Sequence, residues 1–366
     1  MLDIKSQTRE ELEAQFLAWG EKKYRVVQVL EWLYGRGVTD WDAMTNLPQA
    51  LRERLAGHYT LHTLALVTRQ GAPDQTQKFL WRLPDGALIE SVLVPASPAL
   101  YSESSDRRTL CVSTQVGCAY GCRFCASGLD GWKRHLAAEE IVEQWRAAER
   151  WLADHPEPAA PALAPAPSPE RQISNLVIMG MGEPLANYAP VMRALTLLNA
   201  AWGGAIGARK ITISTCGLPP QIRQLAQEPL QFRLAISLHG ATDAVRNRLM
   251  PVNRKYPLHE LVAACEYYLS KQNRMLLFEY LLIAGVNDGL DQVPPLVQLA
   301  RRLHARINLI PFNPVAGLPW RRPTEPVMAA FLQALRAQEV TVTLRREKGE
   351  TIDAACGQLR FKAMKD

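Results

Sequence analysis

Gly117-Cys118-Ala119-Tyr120-Gly121-Cys122-Arg123-Phe124-Cys125 is the stretch on which the fold reading turns. It directly follows an apolar, strand-like run from Thr109 to Thr114 and sets three cysteines at C-x3-C-x2-C spacing. Three thiolates so close together can each take one iron of a single 4Fe-4S cluster. Such a cluster wants four ligands. Cys118, Cys122 and Cys125 supply three, which leaves one iron open to a substrate or cofactor, as a catalytic metal site needs. The alternatives are a structural zinc site or three unrelated thiols. Zinc motifs usually come as two C-x2-C knuckles, and the sequence has no second pair.

From Thr109 onward strand-like and helical stretches alternate. Strands are expected over 109–114, 175–179, 210–215, 232–238, 276–283, 306–310 and 341–345. Helices are expected over 137–151, 190–199, 258–269, 291–303 and 326–338. Such alternation specifies βαβ units and a parallel sheet. Six repeats suit an open or partial barrel whose active site lies at the C-terminal ends of its strands. One Pro/Ala-rich run, His155 to Pro169, interrupts the pattern as a semi-rigid, mobile insertion, since the alternation resumes after it.

Upstream, the period changes twice. Residues 1–60 read as a helical unit, with helices over 10–19, 24–34 and 47–55 and Pro48 at the start of the third. Lys22, Lys23, Tyr24, Arg25, Trp32, Arg36 and Trp41 interleave there. They form either a solvated face or an RNA-binding surface, in which cations grip phosphate and aromatic rings stack on bases. Residues 61–108 read as a small β extension, with strands over 64–68, 77–82 and 87–94 and a hairpin turn at Asp85-Gly86. Glu90 falls within the third of these. A strand carboxylate is ordinarily solvated, and gains interest if its strand edge lines a site. Pro95 to Arg108 is a polar loop. The division expected along the chain is therefore 1–60, 61–108, the barrel over 109–347 with its insertion at 155–169, and a C-terminal segment, 348–366.

Among the 366 residues 48% are hydrophobic and 21% charged, a globular composition. No run of 18 apolar residues exists, so no membrane helix is expected, and the first residues lack a signal-peptide core. Seven cysteines, an odd number with three in one motif, argue against a secreted disulfide framework and for a cytoplasmic protein. A net charge of +6 permits a nucleic-acid partner without establishing one.

Small or polar residues follow several expected barrel strands: Gly182 and Glu183 after the second, Ser214 and Cys216 at the third, Ser237, Leu238 and His239 at the fourth, Asn313 after the sixth. Singly each is weak, since Ser–Gly turns abound and a lone histidine is ordinarily structural. Together they surround one barrel mouth beside an open iron, a pocket suited to a polar cofactor carrying an amino acid and a ribose. S-adenosylmethionine (SAM) fits. Cys356 lies in a loop beyond the last strand and Cys111 within the first, and for both the ordinary fate of a cysteine is burial.

At this point the motifs Cys118-x3-Cys122-x2-Cys125, GMGEPLAN (180–187), SLH (237–239), GVND (285–288), INLIPFNP (307–314) and DAACGQL (353–359) resemble those of the radical-SAM adenine methyltransferases of RNA. The similarity runs from the helical unit to Leu359. It implies an α/β fold, the radical-SAM partial (β/α)6 barrel with a helical accessory domain and a small β extension. It implies methylation of carbon 2 of adenosine in large-subunit ribosomal RNA and tRNA. The nearest alternative is carbon 8 of the same ribosomal adenosine, and remoter ones are a radical-SAM activase or maturase and an iron–sulfur electron carrier. By resemblance Cys118, Cys122 and Cys125 hold the 4Fe-4S cluster. Gly182, Glu183, Ser214, Ser237, Leu238, His239 and Asn313 contact SAM, two molecules of which are used per turnover. Cys356 carries the methyl group, Cys111 resolves the protein–RNA link through a transient disulfide, and Glu90 accepts the ring proton. A reductant such as flavodoxin or ferredoxin and a monomeric enzyme without membrane contact are also implied. The chain departs from the family pattern in its long 95–108 loop, its 155–169 insertion, and Cys216 where serine is more usual.

Overall fold

Thr8 opens the first helix, Arg9–Ala18, with a reciprocal capping box: its side chain accepts the Glu11 N–H while the Glu11 carboxylate accepts its own. A computed structural model describes residues 1–72, 76–95, 107–156, 172–315, 317–345 and 357–364. By packing, these form two compact units. The first comprises 1–112, 136–176 and 189–207, the second 113–135, 177–188 and 208–366.

In the first unit, β1 (Leu2–Asp3) pairs in parallel with β2 (Tyr59–Thr60) and closes the helical segment. The second expected helix is α-helical over Tyr24–Leu30 and continues as a wide π turn through Glu31–Arg36. Gly37 ends it with φ 64°, a conformation that favours glycine, and a Cβ there would displace the Arg146 guanidinium. The third runs over Gln49–His58, with Pro48 just before it. The helix Ala138–Asp154 turns charged residues inward. Glu143 meets buried Lys5 at 3.0 Å, Arg146 donates to the Tyr34 carbonyl at 3.0 Å, and Glu149 accepts the N–H groups of Gln172 and Ile173.

The same unit holds an antiparallel run: β3 (Ala65–Gln70), β4 (Gln77–Arg82), β5 (Leu88–Pro95) and β6 (Arg108–Cys111). The expected hairpin closes at Gly86, φ 84°, with Leu83 N–H donating to the Ala87 carbonyl at 2.8 Å. The strand expected over 109–114 ends at Cys111.

In the second unit a short antiparallel pair, β7 (Gln115–Gly117) and β8 (Trp132–His135), brackets the cysteine turn. The chain passes from the first unit to the second within β9 (Asn175–Ile178). Then come the parallel strands β10 (Ile211–Thr215), β11 (Arg233–Ser237), β12 (Leu277–Leu282), β13 (Arg306–Pro311) and β14 (Val342–Leu344), each paired with the next. Helices Pro219–Leu225, Asp243–Leu249 and Leu258–Lys271, Val293–Arg302, and Glu325–Arg336 make the crossovers. The mixed α/β fold with a parallel sheet is the one the alternation implied. Ile213, Leu234, Ile236, Phe278, Tyr280 and Leu309 share the sheet face that the helices cover, all buried, with Tyr280 stacked on Phe331 of the helix Glu325–Arg336. Most of the expected 95–108 loop (96–106) and most of the insertion (157–169) lie outside the described residues.

Candidate active site

Gly117 has φ 78°, and a Cβ there would lie 1.9 Å from the Gly131 carbonyl oxygen. Glycine is thus required where β7 meets the cysteine turn. Cys118 N–H donates to that same carbonyl at 3.2 Å, and Cys125 N–H to the Cys122 carbonyl at 3.0 Å. The turn is braced at its middle: Arg123 N–H donates to Leu249 O at 2.9 Å, and the Trp320 indole N–H donates to Arg123 O at 2.7 Å. Three thiols therefore sit on a turn held in place by backbone.

Their chemistry fits a cationic cluster. Burial pushes the Cys118 thiol up to about 12, and repulsion from Cys125 and Glu183 adds to it. Burial likewise raises Cys122 well above its ordinary value, with Cys125 and Cys118 adding to the effect. Alone, these thiols resist becoming three thiolates; iron among them reverses that balance, because a coordinating thiol is deprotonated outright. Among the described residues no trio of His, Cys, Asp or Glu converges on one metal ion. A cluster whose irons take one thiolate each does not require such convergence.

Gly182 (φ 100°) lies so close to Gln115 that a Cβ would meet its side chain at 2.6 Å. Gln115 in turn accepts the Glu183 N–H at 2.9 Å. Glu183 is buried, and its two carboxylate oxygens accept the N–H groups of Leu185 (3.0 Å) and Cys216 (2.7 Å). Burial raises its pKa against those hydrogen bonds. The Ser214 and Ser237 hydroxyls lie 3.3 Å apart at the ends of β10 and β11. Asn313 follows β13 and is partly exposed. Cys216 is a buried thiol, raised well above its ordinary value by burial first and Glu183 second. The expected cofactor positions Gly182, Glu183, Ser214, Ser237, Leu238, His239 and Asn313 thus lie in one unit with the cysteine turn, at or just beyond strand ends.

His239 adopts φ 52°, a conformation most side chains avoid. Its Nδ1 accepts the Leu281 N–H at 3.0 Å, which places the ring proton on Nε2. Phe124 of the cysteine turn packs edge-on against the ring at 4.8 Å. Asn287, the asparagine of GVND, is fully buried and donates to the carbonyls of His239 and Leu281 while accepting the Ile283 N–H at 2.7 Å. Burial first, and Arg246 second, depress the His239 pKa to about 3. The folded protein therefore holds it neutral, while the unfolded chain takes up a proton near pH 6.5. Between those values the unfolded state binds more protons, so stability falls as pH drops from 6.5 towards 3. His239→Asn keeps an acceptor and tolerates positive φ. Its stability is expected to fall less steeply over that window in urea titrations, and parallel curves for the two proteins would refute the assignment.

Glu90 and Cys111 belong to the first unit, and the register relates them. Val92 on β5 stands opposite Cys111 on β6 and opposite Lys78 on β4. Side chains two apart on a strand share a face, so Glu90, Val92, Cys111 and Lys78 all lie on one side of the sheet. Lys78 Nζ meets the Glu90 carboxylate at 3.0 Å, and both side chains are buried. Cys111 is buried too. Glu90 is thus no solvated strand carboxylate, and Lys78 is a site neighbour that composition did not flag. Counting residues back from the Asp85-Gly86 turn is the signal that finds it. Cys356 lies outside the described residues. Gly357, the next residue, packs so tightly on Ser127, two residues beyond Cys125, that a Cβ would meet its backbone at 2.7 Å. Arg360 pairs with Asp130 at 3.2 Å and holds the terminal helix there.

Comparison with known proteins follows the geometry. A family model described as "Ribosomal RNA large subunit methyltransferase N-terminal domain" matches residues 2–61. A second, "Radical SAM superfamily", matches residues 167–293. The chain is 50% identical to a probable dual-specificity RNA methyltransferase RlmN 3 of Opitutus terrae over 364 residues, 99% of this chain and 95% of that one. It is 47% identical to a probable dual-specificity RNA methyltransferase RlmN of Akkermansia muciniphila, over 98% of this chain and 95% of the other. A crystal structure of a radical SAM methyltransferase from Sphaerobacter thermophilus superposes with a TM-score of 0.87 at 42% identity, covering 98% of this chain and 99% of that one.

Proposed function

The chain belongs to the radical-SAM dual-specificity RNA methyltransferases, and within that family we propose that it methylates carbon 2 of an adenosine in large-subunit ribosomal RNA and in tRNA. The observation that carries the reading is the end-to-end similarity to relatives described as dual-specificity RNA methyltransferases. As a family member it uses a 4Fe-4S cluster and SAM. Carbon 2 of adenine is flanked by two ring nitrogens and is electron-poor, so transfer of an electrophilic methyl to it fails. When bound, the cluster and SAM supply the one-electron, carbon-radical chemistry that such a carbon requires.

In this reading Cys118, Cys122 and Cys125 hold the cluster. The buried Glu183 carboxylate receives the SAM amino group, since a buried anion calls for a cationic partner. Gly182 lets backbone approach the ligand, and Ser214, Ser237, Leu238, His239 and Asn313 line the rest. Cys356 carries the methyl carbon on its sulfur; with the bound cofactor as hydrogen acceptor, one C–H bond of that methyl would break and the carbon would bond to the adenine. Glu90, held by Lys78, takes the ring proton. The Cys111 thiolate then attacks the Cys356 sulfur: an S–S bond forms, the S–C bond breaks, and its electron pair leaves with the carbon, which is protonated to the product methyl. An external thiol reductant returns the disulfide to two thiols. Flavodoxin or ferredoxin supplies the electron, and the enzyme works as a cytoplasmic monomer. No helix among the described residues is long and apolar enough to cross a membrane.

An adenine in folded RNA must be unstacked to reach such a site. The helical segment matched over 2–61 docks the RNA, and exposed cations grip its backbone. Beside the cysteine turn, the exposed Arg248 guanidinium stands 5.5 Å over the Trp320 ring. The test is mass spectrometry of nucleosides from RNA treated with the reconstituted enzyme. 2-Methyladenosine is the expected product. 8-Methyladenosine would move the activity to the neighbouring branch of the family, and unmodified adenosine would sink the reading.

A further inference from the structure

We propose that Arg246 is a positioning residue of the cofactor pocket: a buried cationic clamp that aligns the ends of β10 and β11 and holds positive charge beside the cysteine turn. The proposal rests on the reading that these strand ends bind SAM. Arg246 sits in the short helix Asp243–Leu249 and is fully buried. Its Nη2–H donates to the Cys216 carbonyl at 3.0 Å, just past β10. Its Nη1–H groups donate to the carbonyls of Ser237 (3.1 Å) and Leu238 (2.6 Å), at the end of β11. One planar fork therefore ties the two strand ends whose side chains, Ser214, Ser237, Leu238 and His239, make the pocket wall.

The fork itself is aimed. Asn253 accepts the Arg246 Nε–H at 2.9 Å and donates to Asp243 (2.8 Å) and Asn247 (3.0 Å). Asp243 also accepts the Leu258 N–H at 2.9 Å, which anchors this relay to the next helix. Two glycines make room. A Cβ at Gly240 would lie 3.1 Å from Arg246 Cγ, and one at Gly217 3.4 Å from its Nη2.

Among the described residues the guanidinium makes four hydrogen bonds, all to carbonyl oxygens and none to a carboxylate. Burying a cation in this way costs several kcal/mol, and an apolar side chain would fill the same space without that cost. Leu249, the last residue of the same short helix, accepts the Arg123 N–H of the cysteine turn at 2.9 Å, so the helix that carries the guanidinium is joined directly to that turn. A fixed positive charge there favours the cluster state with one more electron, because net charge and burial set cluster potentials.

The experiment uses the full-length protein with its cluster reconstituted, and reads SAM affinity by equilibrium dialysis and the cluster midpoint by a redox titration followed by electron paramagnetic resonance. Arg246→Lys keeps the charge but loses the fork. Its SAM dissociation constant is expected to rise about tenfold, roughly one or two lost hydrogen bonds, with the midpoint unchanged. Arg246→Gln is expected to bind SAM as weakly and, in addition, to shift the midpoint to a more negative potential. Asn253→Ala keeps the guanidinium and loosens its aim. About a threefold loss of SAM affinity is expected, with the midpoint of the wild type. If the glutamine protein fails to take up iron, the lysine and Asn253 proteins decide the matter. Wild-type SAM affinity in both overturns the clamp, and an unchanged midpoint in Arg246→Gln overturns the electrostatic role. Glu183→Gln separates the layers: wild-type SAM binding there sinks the pocket, whereas weakened binding there with normal binding in Arg246→Lys sinks only the role of Arg246.

Discussion

Cys356→Ala and Cys111→Ala are expected to fail in different ways. In the proposed mechanism Cys356 is the methyl carrier, so with it removed the cluster is expected to assemble while neither methylated RNA nor a protein–RNA adduct forms. With Cys111 removed, the carrier remains and the thiolate that breaks its bond to the product is missing. Protein covalently joined to RNA is then expected to accumulate as a slow band on a denaturing gel, which ribonuclease collapses. Turnover in both is expected to fall by at least about three orders of magnitude, the scale seen when one member of a group acting as a unit is lost. Cys111 stands on the sheet face that also carries Glu90 and Lys78. The chain next to Cys356 is pinned at Gly357 on Ser127, just past the last cluster cysteine. Normal product release without adduct in Cys111→Ala would leave Cys111 a buried strand residue. The buried Cys216 would then be the next thiol to test.

Replacing any one of Cys118, Cys122 and Cys125 by alanine is expected to abolish the iron–sulfur absorbance and with it the cleavage of SAM. Three ligands leave no spare. Cys125 N–H already serves the Cys122 carbonyl, and the turn is pinned by Leu249 and Trp320, so it does not rearrange to recruit another donor. Iron and sulfide assays together with visible spectra settle the point. A Cys122→Ala protein with full iron content would refute the assignment. The same protein tests the zinc alternative, since a zinc site shows neither the absorbance nor the loss.

Much of this was legible in the chain itself. The cysteine spacing, the period change near residue 61 and the strand–helix alternation beyond residue 109 follow from local chemistry. Helix and strand periodicities, glycine turns and ligand spacing act over a few residues, and no distant contact is needed to read them. Gln77–Arg82 and Leu258 onward were placed almost to the residue for that reason. The chain alone also marked Glu183, His239 and Asn313, because each follows directly on a strand.

What only the tertiary structure decided is which distant groups meet. Arg246 and Asn253 carry no periodic or motif signal, and their roles exist only once β10, β11 and the helix Asp243–Leu249 converge. Lys78 looked like an ordinary strand lysine until the register set it against Glu90 in a buried pair. The helix Ala138–Asp154 read as one barrel helix among several, yet its inward charges bind it into the unit that holds the N-terminal segment. Sequence pattern records which face of an element avoids water. It does not record which partner covers that face, and a buried charge is intelligible only when the group that compensates it is in view.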